Sequence, residues 1–380
     1  MLALICTALS VCMADLGDAN PPQYITNPIA RIITSTVDTN TPTIITLQGF
    51  EASGLPLNYV IRSLPSQGNV YETSQTYRSF SSQPFNAPQA ITTAMLPYQV
   101  TDIHARIVYI PPASIYSPPG AWGHIKYTAI EPVSNSESSP GYIVLANPDG
   151  YTASSSFLAD CEGWYEESPG LPVIPLTYAG FTWGGLDRYC VGKDTMMNID
   201  FDTGDDQAKW LFVAPKSTVF SKENIQGSYG GILGFTLRAA YGNFSAVNSG
   251  ILPLVALECE ACNSGQGLRL FMSSSFDGSQ SIYRIPLLAS AGWLKDPMNV
   301  ALPYTAATEC EVVAVLMGLS KLSILGDYTK AGEGVALDDI FFSAASSQPS
   351  IPITCMQGCA CPNNSPLTSI WCCGIVATAK

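Results

Sequence analysis

The cysteines carry the most chemistry in this sequence. Ten of the twelve lie at Cys161, Cys190, Cys259, Cys262, Cys310, Cys355, Cys359, Cys361, Cys372 and Cys373, and the other two are Cys6 and Cys12. A zinc site would combine C-x2-C pairs with histidines. Only Cys259 and Cys262 have that spacing, and His104 and His124 fall in the part of the chain without cysteines. Disulfides made in an oxidising compartment fit the set better. Spacing leaves the pairing open. Cys161 with Cys190 would staple two neighbouring segments, Cys310 can join Cys259 or Cys262, and Cys259 and Cys262 can close on each other. Both the group up to Cys310 and the group from Cys355 are odd. Either one bridge joins them, or a thiol pairs with another chain or with sequence beyond Lys380.

The remaining reactive side chains assemble no catalytic pattern. A Ser-His-Asp triad would need His104 or His124, and no Gly-x-Ser-x-Gly elbow is present. Gly227–Gly231 lacks the lysine and the strand-to-helix setting of a phosphate loop. The run Asp200, Asp202, Asp205 and Asp206 looks like a calcium loop, but the twelfth position, a glutamate in an EF-hand, is Leu211. We read it as a solvated loop. Among the tryptophans, Trp210 and Trp293 are expected in the core, while Trp183, beside two glycines, is the candidate glycan contact. Asn243-Phe244-Ser245 and Asn363-Asn364-Ser365 are glycosylation sequons.

Composition narrows the classes further. The 380 residues carry a net charge of −13, with 17 basic side chains and no cluster of them. That argues against nucleic acid, whose phosphates need a basic footprint. Only 12% of residues are charged while 47% are hydrophobic, so a large core and a neutral polar surface are expected. Residues 1–14 form a signal-like segment, apolar from residue 2, with cleavage expected after Ala14 and no basic start. No apolar run is long enough for a transmembrane helix.

Short β-patterned runs punctuated by Pro, Gly, Ser and Asn then position these side chains. Between residues 20 and 148 they fall at 32–36, 42–47, 57–63, 69–71, 106–110, 125–130 and 141–146. Roughly seven strands in such a length suit a Greek-key sandwich. Leu57, Tyr59 and Ile61 alternate inward, Val108 and Ile110 face a partner strand, and Ile125 and Tyr127 close the core. Gly68 permits a turn, and residues 72–94 read as an exposed insertion. Asn147-Pro148-Asp149-Gly150 marks a boundary. From 149 to 346 strands are expected around 252–259, 268–273, 281–288, 310–317, 321–325 and 334–345. The hub is 210–237, in which Trp210, Phe212, Phe235 and Leu237 share a core. Residues 347–380 are a linker and a cysteine-rich tail.

Two stretches carry family wording. IITLQGFEASGLPLNY, VIRSLPSQGNVY, IVYIPP and HIKYTAIE, in that order from Ile44 to Glu131, resemble Ig-like and cadherin-like extracellular domains. WLFVAP and SYGGILGFTL within Trp210–Leu237, YRIPLLASAGW at Tyr283–Trp293 and LSKLSILGDYTKAGEGVALDDIFFSAA at Leu319–Ala345 resemble the laminin IV (laminin B) domain. One departure is Phe220-Ser221-Lys222-Glu223-Asn224, where the family has a Gly-Asp or Gly-Asn step. The tail resembles the start of an EGF-like module. The resemblance implies an all-β chain: an Ig-like/cadherin-like Greek-key sandwich, then a jelly-roll β-sandwich. Jelly rolls of this kind often hold a structural calcium, which would fall here to Asp338, Asp339, Asp160 and Glu162. The expected function is that of a secreted, non-catalytic adhesion or extracellular-matrix protein. Its partners would be extracellular proteins or glycans. The alternatives are a carbohydrate-binding module of a larger secreted protein and a self-assembling subunit of an extracellular filament.

Overall fold

The computed structural model describes residues 27–51, 54–72, 89–113, 118, 120–168, 171–181, 186, 188–193, 209–217, 219–244, 253–296, 304–329, 332–345 and 355. The chain is all-β, with short helical turns. Among the described residues two large apolar cores form, one from residues between Ala30 and Leu145 and one from residues between Ala153 and Cys355, with a small third cluster of Leu186, Tyr189 and Ala336.

The first core lies between sheets built from β1 (Ile29–Ala30), β2 (Ile33–Thr36), β3 (Thr43–Thr46), β4 (Gly49–Phe50), β5 (Asn58–Ser63), β6 (Asn69–Glu72), β7 (Ala90–Ile91), β8 (Tyr98–Gln99), β9 (Arg106–Ile110), β10 (Gly123–Ile130) and β11 (Gly141–Ala146). Their orders are β2-β11-β10-β5-β8 and β3-β9-β6-β7, with β1 and β4 as a separate pair. Ile61, Ile125, Tyr127 and Ile143 of the first sheet meet Ile45, Val70, Ile107 and Tyr109 of the second. All seven strands expected from the pattern are present. The facing of β9 is corrected: Ile107 and Tyr109 enter the core, and Ile110 is only half-buried. Tyr109 decides it. Its hydroxyl donates to the carbonyl of Gln67 at 2.9 Å, and its ring fills the space over Gly68, where a Cβ would stand 2.8 Å from Cε2. Gly68 itself is left-handed, at φ +73°, a conformation that favours glycine. The expected insertion at 72–94 is also shorter than read, because Ala90–Ile91 rejoins the sheet as an edge strand.

The second core lies between β12 (Tyr151–Ser155), β15 (Thr177–Ala179), β16 (Tyr189–Lys193), β18 (Ile232–Tyr241), β21 (Ser281–Pro286) and β25 (Gly334–Ser343) on one side. On the other side are β13 (Tyr165–Glu167), β14 (Ile174–Pro175), β17 (Leu211–Val213), β19 (Pro253–Cys259), β20 (Leu268–Ser273), β22 (Leu294–Asp296), β23 (Thr305–Ala306) and β24 (Lys321–Leu325). The orders are β15-β16-β25-β18-β21, with β12 also on β25, and β14-β13-β17-β24-β19-β20-β22-β23.

One expected strand is a helix. Residues 310–317 read as a strand because Val312, Val313 and Val315 are β-branched. They form α2 (Glu309–Met317) instead; α1 is Lys222–Ile225. Thr308 and Glu311 close a reciprocal capping box, which satisfies two amides that a helix start otherwise leaves open. Val312, Val313, Val315 and Leu316 are then buried together.

The hub stretch joins the two sheets of this sandwich. β17 belongs to one and β18 to the other, and Trp210, Phe212, Phe235 and Leu237 share the core as expected. The crossing between them runs through α1 and a buried 3-10 turn, Gln226–Ser228. That turn also docks on the first sandwich. Thr34 Oγ1 donates to the carbonyl of Gly227 at 2.9 Å, and Asn224 Oδ1, on α1, lies 3.5 Å from His124 Nδ1; within the second sandwich, Ser228 and Thr152 of β12 share a hydroxyl hydrogen bond at 2.5 Å. A Cβ on Gly227 would stand 2.9 Å from Val144 Cβ and 2.8 Å from Thr34 Oγ1.

A side chain at 227 must therefore push the sandwiches apart while leaving each core intact. Gly227→Leu is expected to split a single calorimetric unfolding transition into two. A single transition in the variant at the wild-type midpoint would show that this seam does not couple them.

Candidate binding surface and the placement of site residues

The carboxylates proposed for calcium are dispersed by a bulge in β25. Residues Gly334–Leu337 pair with β16, residues Ile340–Ser343 pair with β12, and the register against β18 shifts near Asp338. Asp339 takes a left-handed φ of 51° and donates its amide to Asp338 Oδ1 at 2.8 Å. Asp338 is buried and Asp339 exposed. Asp160 is exposed, and its Oδ1 accepts the amide of Glu162 at 2.6 Å. Among the described residues, no group of three or more His, Cys, Asp and Glu side chains is arranged to hold a metal ion. The Asp338 and Asp160 carboxylates thus each accept a neighbouring backbone amide.

His104 is exposed in a turn held by Asp102. His124 lies on the seam, edge-on to Tyr142 with the ring centroids 5.8 Å apart. Trp164, Trp210 and Trp293 are all buried. Trp164 donates to Ser155 Oγ and Trp293 to the carbonyl of Pro286, each at 2.9 Å. Trp183, Asn363, the run at 200–206 and the signal-like segment lie outside the described residues. Asn243 is exposed, and the next residue, Phe244, packs edge-on to Phe276 at 5.6 Å. The sequon asparagine is therefore presented by a ring fixed in the fold.

Among the described residues three disulfides are formed: Cys161–Cys190, Cys259–Cys262 and Cys310–Cys355. The first was one of the pairings left open, and the second is the tight loop. The third corrects the expectation that Cys310 joins Cys259 or Cys262, since those two have already closed on each other. It is the bridge between the odd groups. Four tail cysteines, Cys359, Cys361, Cys372 and Cys373, are then left, an even number; all four lie outside the described residues.

The outer face of the eight-stranded sheet carries the most ordered charge. Lys321, Glu258, Arg269 and Asp296 are direct cross-strand neighbours on β24, β19, β20 and β22. Opposite charges so placed attract across the ladder. Arg269 pairs with Asp296 at 2.8 Å, and Lys321 reaches Glu167 at 2.6 Å. Burial pushes the Glu258 carboxyl above its usual range, against the pull of Lys321 and Arg269. Sequence periodicity did not reveal this stripe, because each member sits alone on its own strand.

The fully buried acid Glu333 was also missed. It accepts the amides of Tyr328 and Thr329, each at 2.9 Å, and the Thr329 hydroxyl. Its signal in sequence was a glutamate between glycines just before a wholly apolar run.

No family model matches the chain, and no curated protein matches it. Among solved structures it is similar to the L4b domain of human laminin alpha-2, at 13% identity and a TM-score of 0.36. The match covers 51% of this chain and 98% of that one. An Ig-like or EGF-like unit is not part of that comparison. Among the described residues, no helix is long and apolar enough to cross a membrane.

Glu333 generates a pH prediction. Burial pushes its carboxyl from 4.5 up to about 7, Asp327 adds to the rise, and the hydrogen bonds oppose it. The folded chain thus holds this proton more tightly than the unfolded chain. The stabilisation is full below the ordinary carboxyl range and is lost as pH rises through about 7. A shift of that size corresponds to about 3 kcal/mol. Stability from denaturant titration should fall between pH 5 and 8 in the native chain, and Glu333→Gln should flatten that fall. Equal slopes in the two proteins would contradict the assignment.

Proposed function

We propose that this chain is a secreted, non-catalytic protein of adhesion or matrix type. It acts through protein or glycan contacts on the outer faces of two β-sandwiches held in fixed relation. The observation that carries this reading is the set of disulfides. Every cysteine among the described residues is paired, a state that persists in oxidising compartments and is rare in the cytosol. The seam at Thr34, His124 and Gly227 supports it further, because a fixed pair of sandwiches offers one continuous surface for recognition.

In the chain-entropy view, the Cys310–Cys355 loop of 45 residues contributes most among the three bridges, about 4 kcal/mol against about 1.6 kcal/mol for the Cys259–Cys262 loop. Cys310→Ser with Cys355→Ser should therefore lower stability more than Cys259→Ser with Cys262→Ser, as read by denaturant titration under oxidising conditions. The reverse order would contradict the load assigned to the tail bridge.

The functional test is to express the full chain through a secretory route and screen it against extracellular proteins and a glycan array. Saturable binding without turnover is the expected result. Selective sugar binding lost in Trp183→Ala would favour the carbohydrate-binding alternative. Hydrolysis of any substrate class, abolished by one point mutation, would overturn the reading.

A further inference from the structure

The turn that docks on the first sandwich is held from its own side by two grips. At the end of β25, Ser343 Oγ accepts the amide of Ile232 at 3.1 Å. At the start of α2, Glu309 Oε2 accepts the hydroxyl of Tyr229 at 2.7 Å and the amide of Ala289 at 3.4 Å. Tyr229 directly follows Ser228 of the turn, and so stands two residues from Gly227, which meets Thr34 and Val144. α2 also packs on the turn and on α1. Burial, and after it the bond to Glu309, push the Tyr229 phenol above its usual range. A hydroxyl enclosed in this way is costly to leave without its partner.

The Cys310–Cys355 disulfide joins these grips covalently. Cys310 follows Glu309 in the first turn of α2, and Cys355 lies twelve residues after Ser343. The closed loop therefore carries Ser343 and ends one residue from Glu309. It is also the bridge that a reductant meets first. Of the six bonded cysteines among the described residues, Cys310 is half-buried, while Cys161, Cys190, Cys259, Cys262 and Cys355 are buried. Thiol–disulfide exchange requires a thiolate to reach a sulfur, so access favours attack at Cys310.

We propose that the Cys310–Cys355 disulfide is a redox latch on the seam between the sandwiches. Opened by a dithiol, it frees the first turn of α2, weakens the bond from Tyr229 to Glu309 and loosens the seat of Gly227 on the first sandwich. One thiolate of the dithiol attacks Cys310 Sγ, and Cys355 leaves and takes up a proton. The second thiolate then attacks the reductant sulfur bound to Cys310. Cys310 leaves as a thiol, and the reductant departs as its own disulfide, oxidised by two electrons. The latch does not depend on what the sandwiches bind, so it stands or falls apart from the adhesion reading.

The test treats the full oxidised chain with limiting dithiothreitol under folding conditions, alkylates the thiols released and maps them by peptide mass spectrometry. Cys310 and Cys355 are expected to be labelled while Cys161–Cys190 and Cys259–Cys262 stay closed. Earlier opening of either of those bridges would overturn the latch. Amide hydrogen exchange then reads the seam, at times short enough that the core strands at Ile125–Ala129 and Val255–Leu257 stay protected. In the reduced chain, and in Cys310→Ser with Cys355→Ser, the peptide covering Gln226–Gly231 is expected to exchange about tenfold faster. Unchanged protection of that peptide, or its loss only together with the core strands, would show that the bridge does not govern the seam. Tyr229→Phe should speed exchange of the same peptide in the oxidised chain, and reducing that variant should add less than about twofold. Two independent effects that multiply would rule out transmission through Glu309.

Discussion

Glycine at 231 leaves room for the carbonyl oxygen of Ser343 at a place where a Cβ would stand 1.9 Å away. That approach brings the end of β25 against the start of β18, and the amide of Ile232 donates to Ser343 Oγ at 3.1 Å. Gly230, at φ +78°, turns the chain just before it. The turn fixes where Gly227 and Ser228 emerge, and those residues touch Thr34, Val144 and Thr152. One close backbone contact thus sets both the closure of the second sandwich and its seat on the first. The same economy appears at Gly326, whose missing side chain makes space for the Trp210 ring.

The bulge at Asp338 and Asp339 resolves a related conflict. β25 is a central strand, with β18 along one edge, and its other edge has to serve both β16 and β12. An extra residue at the changeover lets the strand bend between two partners. An acid is suited to that position because its carboxylate can cap an amide left out of the ladder. The adjacent aspartates, which look like metal ligands in the sequence, are explained by backbone geometry.

Much of the fold was legible because both sandwiches follow a simple rule of alternating burial. Leu233, Phe235 and Leu237 point into the core as their spacing implies, and the seven strand segments before residue 147 are where turn residues delimit them. The failures have specific causes. In α2, a valine run suggested a strand, and the capping box at Thr308 and Glu311 outweighed it. In β9 every residue from Ile107 to Ile110 is apolar, so alternation gave no facing, and Tyr109 settled it through a contact with Gln67. The seam was illegible because it rests on Thr34, His124 and Gly227, ordinary residues far apart in sequence.

The bridge from Cys310 to Cys355 also has a mechanical meaning. β25 ends at Ser343, twelve residues before Cys355, and it lies in the middle of its sheet. Tension on the chain from its C-terminal side would reach the cross-link first. It would pass into α2, whose buried valines are wedged into the core, before it could unzip β25 from its neighbours. The disulfide acts as a strain relief, sparing the strand on which the whole sheet is assembled.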